Sequence, residues 1–238
     1  AVMDAFLAPP EGAVVVSHGA IHLAGSRVNG TPALLGPDYA IVDPRYAKLP
    51  DRDRTAKVSD VLVTFGRLDP DNVTGLVLDA IEALVADLRV TVVAASAWRH
   101  LPDIRRRIAA FGEHGRLVLD ASDMVPFLAA ADLVVGAGGV SLMERMAAGV
   151  PSVTVSIIDN QDVFVEGAAR LDATISGGRS ADLTVPRMRQ ALSMAVNDPG
   201  VRERVAMNGR RIVDGAGASR IAACLLESAR GTSGACGV

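Results

Sequence analysis

The sequence predicts an α/β fold: a doubly wound parallel sheet with helices on both faces. Three observations carry this reading. From residue 59 to about residue 175, β-branched runs alternate with segments of helical periodicity. Runs such as Leu133-Val134-Val135 are apolar throughout, as in strands covered on both faces. Glycine turns follow two of the runs, at Gly66 and at Gly136-Ala137-Gly138-Gly139.

Each element has its own signal. Val61 to Phe65 reads as a strand ending in the Gly66 turn. Asp69 to about Leu88 reads as a helix, because Val73, Leu76, Val77, Ala80, Ile81, Leu84 and Leu88 recur at helical spacing. Asp69-Pro70 supplies its start, a cap followed by proline at the first helical position. Val90 to Ala94 is the next strand, followed by a basic helix over 101–111 and a short strand at Leu117 to Leu119. A helix from Ser122-Asp123 to Ala130 leads to the strand at Leu133 to Val135. Val153-Thr154-Val155 follows, then a helix from Asp159 to Leu171 and a short strand near Ala173 to Ile175. Helices over about 186–196, 199–213 and 217–229 close the chain. Earlier, Ala13 to Val16 and Ala33 to Leu35 read as buried strands. The polar, charged segment from Lys48 to Lys57 reads as a linker.

The most informative stretch is Gly136 to Glu144, a strand, a glycine turn and a helix start. Glycines let backbone approach a ligand closely, and the first N–H groups of a helix have no partner within it. Those donors and the helix dipole attract phosphate. Ser141 adds a hydroxyl, and Glu144 lies three residues on, where a carboxylate can accept both hydroxyls of a ribose. The alternative is a capping box, with Ser141 as cap and Glu144 closing it. Asp159-Asn160-Gln161 falls at the end of the next strand, the rim where open α/β sheets bind ligands. Asn160 and Gln161 are therefore ligand candidates as well as possible caps. The loop from Gly66 through Arg67 and Asp69 to Asn72 shares that rim, although Asp69 and Asn72 also suit helix capping.

Composition removes several classes. A net charge of -3 and 3% aromatic residues argue against nucleic acid as partner. No apolar run reaches the ~18 residues of a membrane span. Two cysteines, Cys224 and Cys236, give no disulfide framework and no zinc spacing, so a cytoplasmic setting is the default. His18 and His22 are four apart, but Gly19 and the preceding strand argue against a helix, and no third ligand is evident. Neither a metal nor a cofactor is expected. Arg105-Arg106-Arg107 reads as a solvated helix face, and Phe65 and Trp98 as core or cleft wall.

Four segments in order resemble one family. Leu34 to Tyr46 resembles LLGPxYALLRPEF, and Val63 to Asn72 resembles VTFGGSDPxN. Ala131 to Glu144 resembles ADLxIGAGGSTxWE, and Gly149-Val150-Pro151 with Asp159-Asn160-Gln161 resembles GLPSLVVxxADNQ. The pattern is similar to that of the pseudaminic-acid pathway hydrolases, which release UDP from UDP-diacetamido-trideoxy-altropyranose, and of spore-coat polysaccharide proteins. More distantly it resembles the glycosyltransferase B-type (GT-B) group.

The resemblance implies the C-terminal, nucleotide-sugar-binding half of a GT-B-like fold. Residues 1–47 would end an N-terminal domain, 48–58 would link, 59–230 would form the binding domain, and 231–238 would be a flexible tail. The implied activity is UDP-sugar hydrolysis in nonulosonic-acid or surface-polysaccharide biosynthesis. The alternatives are a glycosyltransferase using the same donor site and a non-catalytic subunit needing a separate N-terminal domain or chain. The implied ligand residues are Gly66, Arg67, Asp69, Asn72, Gly138, Gly139, Val140, Ser141, Glu144, Asn160 and Gln161.

This chain departs from the pattern at Arg67, where the family has glycine, at Val140, where it has serine, and at Met143, where it has tryptophan. The family's Gly-x-Gly-His-x-x-Arg turn has no match here. The expectation is a fragment or a chain that works with a separate one. Catalytic residues are unassigned, His18 being a candidate only by its place at a strand end.

Overall fold

The computed structural model describes residues 2–3, 14–17, 27–28, 31–67, 69–84 and 87–229. His18, His22, Leu68 and the 231–238 tail lie outside them.

Two sheets are present among the described residues. The first holds β1 (Val2–Met3), β2 (Val15–Ser17), β3 (Arg27–Val28) and β4 (Thr31–Leu35) in the order β1-β2-β4-β3. Only the β3–β4 pairing is antiparallel. The second is six-stranded: β5 (Asp60–Thr64), β6 (Arg89–Ala94), β7 (Gly115–Leu119), β8 (Leu133–Ala137), β9 (Ser152–Ser156) and β10 (Ile175–Arg179). Its order is β10-β9-β8-β5-β6-β7, and every pairing is parallel. The fold is the doubly wound α/β architecture expected.

Alternation along the strands divides the interior into two cores. Val61, Val63, Val92 and Val135 face one, packed on α1 (Val73–Glu82), α2 (Leu101–Ala110) and α6 (Val185–Asn197). Leu62, Val93 and Val134 face the other, against α3 (Val125–Ala130), α4 (Val140–Ala148) and α5 (Asp162–Arg170). α7 (Pro199–Ile212) packs on α4, where Gly209 sits so close that a Cβ there would lie 3.0 Å from Met146 Cα. α8 (Gly217–Ala229) carries Ile221 and Cys224 onto Val14, Val16 and Leu34 of the first sheet.

The helix expected from Asp69 begins instead at Val73. Asp69 and Pro70 stand before it because the Asp69 carboxylate accepts from Val73 N–H at 2.8 Å and Thr74 N–H at 2.9 Å, capping from four residues back. The strand expected near Ala173 starts two residues later, at Ile175. Residues 159–161 form a 3-10 turn ahead of α5 rather than its first turn. Among the described residues no helix is long and apolar enough to cross a membrane.

The polar segment before β5 is strapped to the second sheet's helices. Arg202 is 3% exposed and donates to the carbonyls of Arg54 at 2.9 Å and Ala56 at 2.8 Å. The same guanidinium closes α6 by donating to Ala195 O at 3.0 Å and Val196 O at 2.8 Å. One side chain thus satisfies carbonyls that the end of a helix leaves unpaired. Arg202→Met is expected to lower unfolding free energy by about 3 kcal/mol in urea denaturation, because one buried and several partly buried carbonyls lose their donor at once. An unchanged midpoint would show that the strap contributes nothing.

Candidate functional site

The strand order places β5 and β8 side by side although their following helices lie on opposite faces. At that boundary the carboxyl ends of the strands open a crevice. A cavity of about 600 Å³ occupies it. Its wall is built from Thr64, Gly66 and Arg67 after β5, and from Ser141, Glu144 and Arg145 on α4. The ends of β6 and β7 contribute Ala94 and Ser122, with Met124 and Leu128 adding apolar surface.

Local sequence dictates the turn after β8. Gly139 stands at the helix N-cap with φ 43°, a left-handed value that favours glycine. The first helical hydrogen bond runs from Leu142 N–H to Gly139 O at 3.0 Å. The amides of Val140 and Ser141 come before it, at the positive end of the helix. Gly138 N–H is committed elsewhere, to Val155 O at 3.0 Å. Gly138 serves by close approach: a Cβ there would meet Val165 Cγ2 at 2.6 Å and Gln161 Oε1 at 3.0 Å.

Ser141 and Glu144 do not form a capping box. Gly139 holds the cap position, and no side chain caps α4. The Ser141 hydroxyl donates back to Ala137 O at 3.3 Å and accepts from Arg145 Nη1 at 3.3 Å. Glu144 lies on the cavity wall. Burial pushes its carboxyl above the ordinary value of 4.5, partly offset by the neighbouring Arg145 charge, with Asp43 adding a smaller upward push. Tyr46, buried beneath, has its phenol pushed up by desolvation first and by the Glu144 charge second.

The other candidates have different placements. Gly66 and Arg67 line the cavity, and Arg67 O accepts from Trp98 Nε1 at 3.0 Å. Asp69 is buried and fully engaged as the α1 cap. Asn72 sits at φ 54° with no side-chain capping bond, and its Nδ2 donates to Asp103 Oδ2 on α2 at 3.0 Å. Gln161 Oε1 accepts from Ile157 N–H at 3.0 Å and so braces the loop after β9. Asn160 and Val140 are exposed at the rim. Of the predicted residues, Gly66, Arg67, Ser141 and Glu144 line the cavity, whereas Asp69, Asn72, Gly138, Gly139, Val140, Asn160 and Gln161 do not. No cluster of three or more metal-ligating side chains exists among the described residues.

Three contributors escaped the sequence reading. Trp98, read only as wall, anchors the Gly66–Arg67 turn. Residues 120–124 carry the end of β7 into the cavity; they obey the same strand-end rule applied to Gly66 and to Gly138. Arg145 is four residues from Ser141, the spacing that puts two helical side chains together.

The profile of the family described as "Glycosyl transferases group 1" matches residues 59–211. The chain is 28% identical over 195 residues to the spore coat polysaccharide biosynthesis protein SpsG of Bacillus subtilis (strain 168), covering 81% of this chain and 57% of that protein. It superposes on a glycosyltransferase from Rickettsia africae ESF-5 with a TM-score of 0.64 at 11% identity, covering 92% of this chain and 64% of the other. The UDP-GlcNAc 2-epimerase of Neisseria meningitidis bound to UDP-GlcNAc superposes with a TM-score of 0.51 at 14% identity, over 71% of this chain and 45% of that one. Both structural likenesses are of fold. The chain spans less than two thirds of each relative.

Gly138→Ala is expected to force Val165 and Gln161 aside and break the Gln161–Ile157 bond. The cost is about 1–3 kcal/mol of overpacking, read by thermal or urea unfolding, with faster amide exchange at Ile157. Unaltered stability and exchange would show that the turn has slack.

Proposed function

Because the chain belongs to the glycosyl transferases group 1 family, we propose that it carries the nucleotide-sugar-binding half of a surface-polysaccharide biosynthesis enzyme. The observation that supports this best is the crevice between β5 and β8, with an uncommitted helix start and a carboxylate one turn later on the same wall. In this reading the amides at Val140 and Ser141 receive the diphosphate. Glu144 accepts the two pentose hydroxyls. Gly66 and Arg67 close the opposite side, and Asn160 and Gln161 shape the rim. Met124 and Leu128 offer an apolar wall for the base. UDP is the favoured nucleotide, in keeping with the UDP-GlcNAc bound to the Neisseria epimerase.

The wider organisation belongs to the same proposal. Residues 1–47 end a preceding domain, 48–58 connect, 59–230 form the donor-binding domain, and 231–238 follow as a tail. A second domain or chain completes the cleft, and the setting is cytoplasmic. In the reaction, the bond from the anomeric carbon to the diphosphate breaks. Backbone N–H groups at the start of α4 stabilise the charge on the leaving group. Transfer to an acceptor hydroxyl is the reading the family supports. Hydrolysis, with water as nucleophile, is the second, the reading that the four motif segments imply. Incubation with UDP-sugars separates them: glycoside formed only with acceptor means transfer, and free sugar plus UDP without acceptor means hydrolysis.

Calorimetry with UDP tests the site. Glu144→Ala is expected to weaken binding about tenfold or more, the loss of charge-assisted hydrogen bonds to the pentose. Unchanged affinity would remove the ribose from Glu144. The pH dependence has a definite sign. The raised Glu144 carboxyl becomes neutral at a higher pH than an ordinary glutamate. A neutral carboxyl accepts poorly, so affinity for uridine, which has no phosphate to titrate, falls as pH drops toward and through that raised value. Glu144→Gln is expected to flatten the profile, and an identical profile in both proteins would contradict the assignment.

A further inference from the structure

Beneath the glycine turn lies a charge with no part in the proposed contacts to diphosphate and pentose. Arg145 is 1% exposed, yet it forms part of the cavity wall. Its Nη2 donates to Ala137 O at 2.8 Å and to Thr154 Oγ1 at 3.1 Å. Its Nη1 donates to Ser141 Oγ at 3.3 Å. Nε is buried without a hydrogen-bond partner. The sheet makes room for the group: a Cβ at Gly136 would stand 3.0 Å from Arg145 Nη1.

The simpler interpretation is a structural cross-link joining β8, β9 and α4. Three features go beyond it. A cross-link between a carbonyl and two hydroxyls needs no charge, and burying a guanidinium costs several kcal/mol unless something compensates. Among the described residues no carboxylate lies within salt-bridge distance of Arg145. Around it stand Thr154, Ser152 and Thr174, joined by neutral contacts such as Thr154 Oγ1 to Thr174 Oγ1 at 2.7 Å. Burial lowers the arginine pKa to about 10, far above neutrality, so the group stays charged. Glu144, whose charge opposes that fall, is itself desolvated on the same wall.

We infer that Arg145 is a ligand-binding residue whose buried charge selects the diphosphate of the nucleotide, beside the carboxylate that holds its pentose. The inference rests on the nucleotide-site reading and adds to it a basis for discrimination. An anion in the cavity completes the ion pair that the protein leaves open. A nucleoside without phosphate leaves it open still.

Two measurements on the full chain test this. Calorimetry compares uridine and UDP on the wild type and on Arg145→Gln. The preference for UDP over uridine is expected to fall about ten- to a hundredfold in the variant, the loss of one charge-assisted interaction with the anion. Equal weakening of both ligands would reveal a structural cross-link and overturn the inference. The second measurement needs no variant, and so decides the matter even where Arg145→Gln fails to fold. In the ¹⁵N-labelled wild type, the assigned Arg145 Nε–H resonance is expected to move with UDP and with inorganic pyrophosphate, and to stay in place with saturating uridine. A resonance unmoved by bound UDP would overturn the inference while leaving the nucleotide site intact. A chain that binds neither uridine nor UDP would overturn the nucleotide reading itself, and the inference with it.

Discussion

Crossover handedness governs where this chain can put a site. Parallel strands joined through helices connect in a right-handed sense, so the direction in which the sheet grows fixes the face each helix covers. Here the sheet starts at β5, fills one edge through β6 and β7, then returns to lay β8 against β5 and fills the other edge. α1 and α4 are therefore driven to opposite faces, and among the described residues no helix covers the strand ends between them. The crevice is a consequence of strand order before any side chain is considered. The glycine turn, Ser141, Glu144 and Arg145 are what the sequence adds to a gap that topology has already opened.

Much of this was legible from residues alone. The helices at 185–197, 199–212 and 217–229 match their periodic patterns within a residue or so, because their apolar stripes are long and their starts carry proline or glycine. The strands before and after the glycine turn were equally plain, the first apolar on both faces and the second carrying β-branched Val153, Thr154 and Val155. Boundaries failed where side chains reach across several residues. Asp69 looked like a cap with proline at the first helical position. Its carboxylate instead serves amides four and five residues on, and Asn72 takes a left-handed backbone in between. Periodicity sees the helix but not the detour before it.

The candidate site was legible in one dimension and hidden in another. Motifs at strand ends located its floor, since strand ends are visible in sequence. The partition of roles within it was not, because it depends on which groups the fold has already used. Gly138 N–H, the Asp69 carboxylate and Gln161 Oε1 all have partners, and each therefore acts as framework. Ser141 and Glu144 escape the capping box only because Gly139 takes the cap position. Arg145 sat in plain view between Glu144 and Met146, yet its burial follows from Gly136 on the adjacent strand, a pairing that no local pattern reveals. The wall so formed holds a desolvated carboxylate and a desolvated guanidinium side by side, one suited to hydroxyl donors and the other to an anion.

The most direct test of the account is a crystal structure of the chain grown or soaked with UDP. The account predicts the nucleotide in the crevice between the ends of β5 and β8, with phosphate oxygens at the Val140 and Ser141 amides and pentose hydroxyls on the Glu144 carboxylate. UDP bound elsewhere on the chain, with that crevice closed by protein side chains, would contradict it.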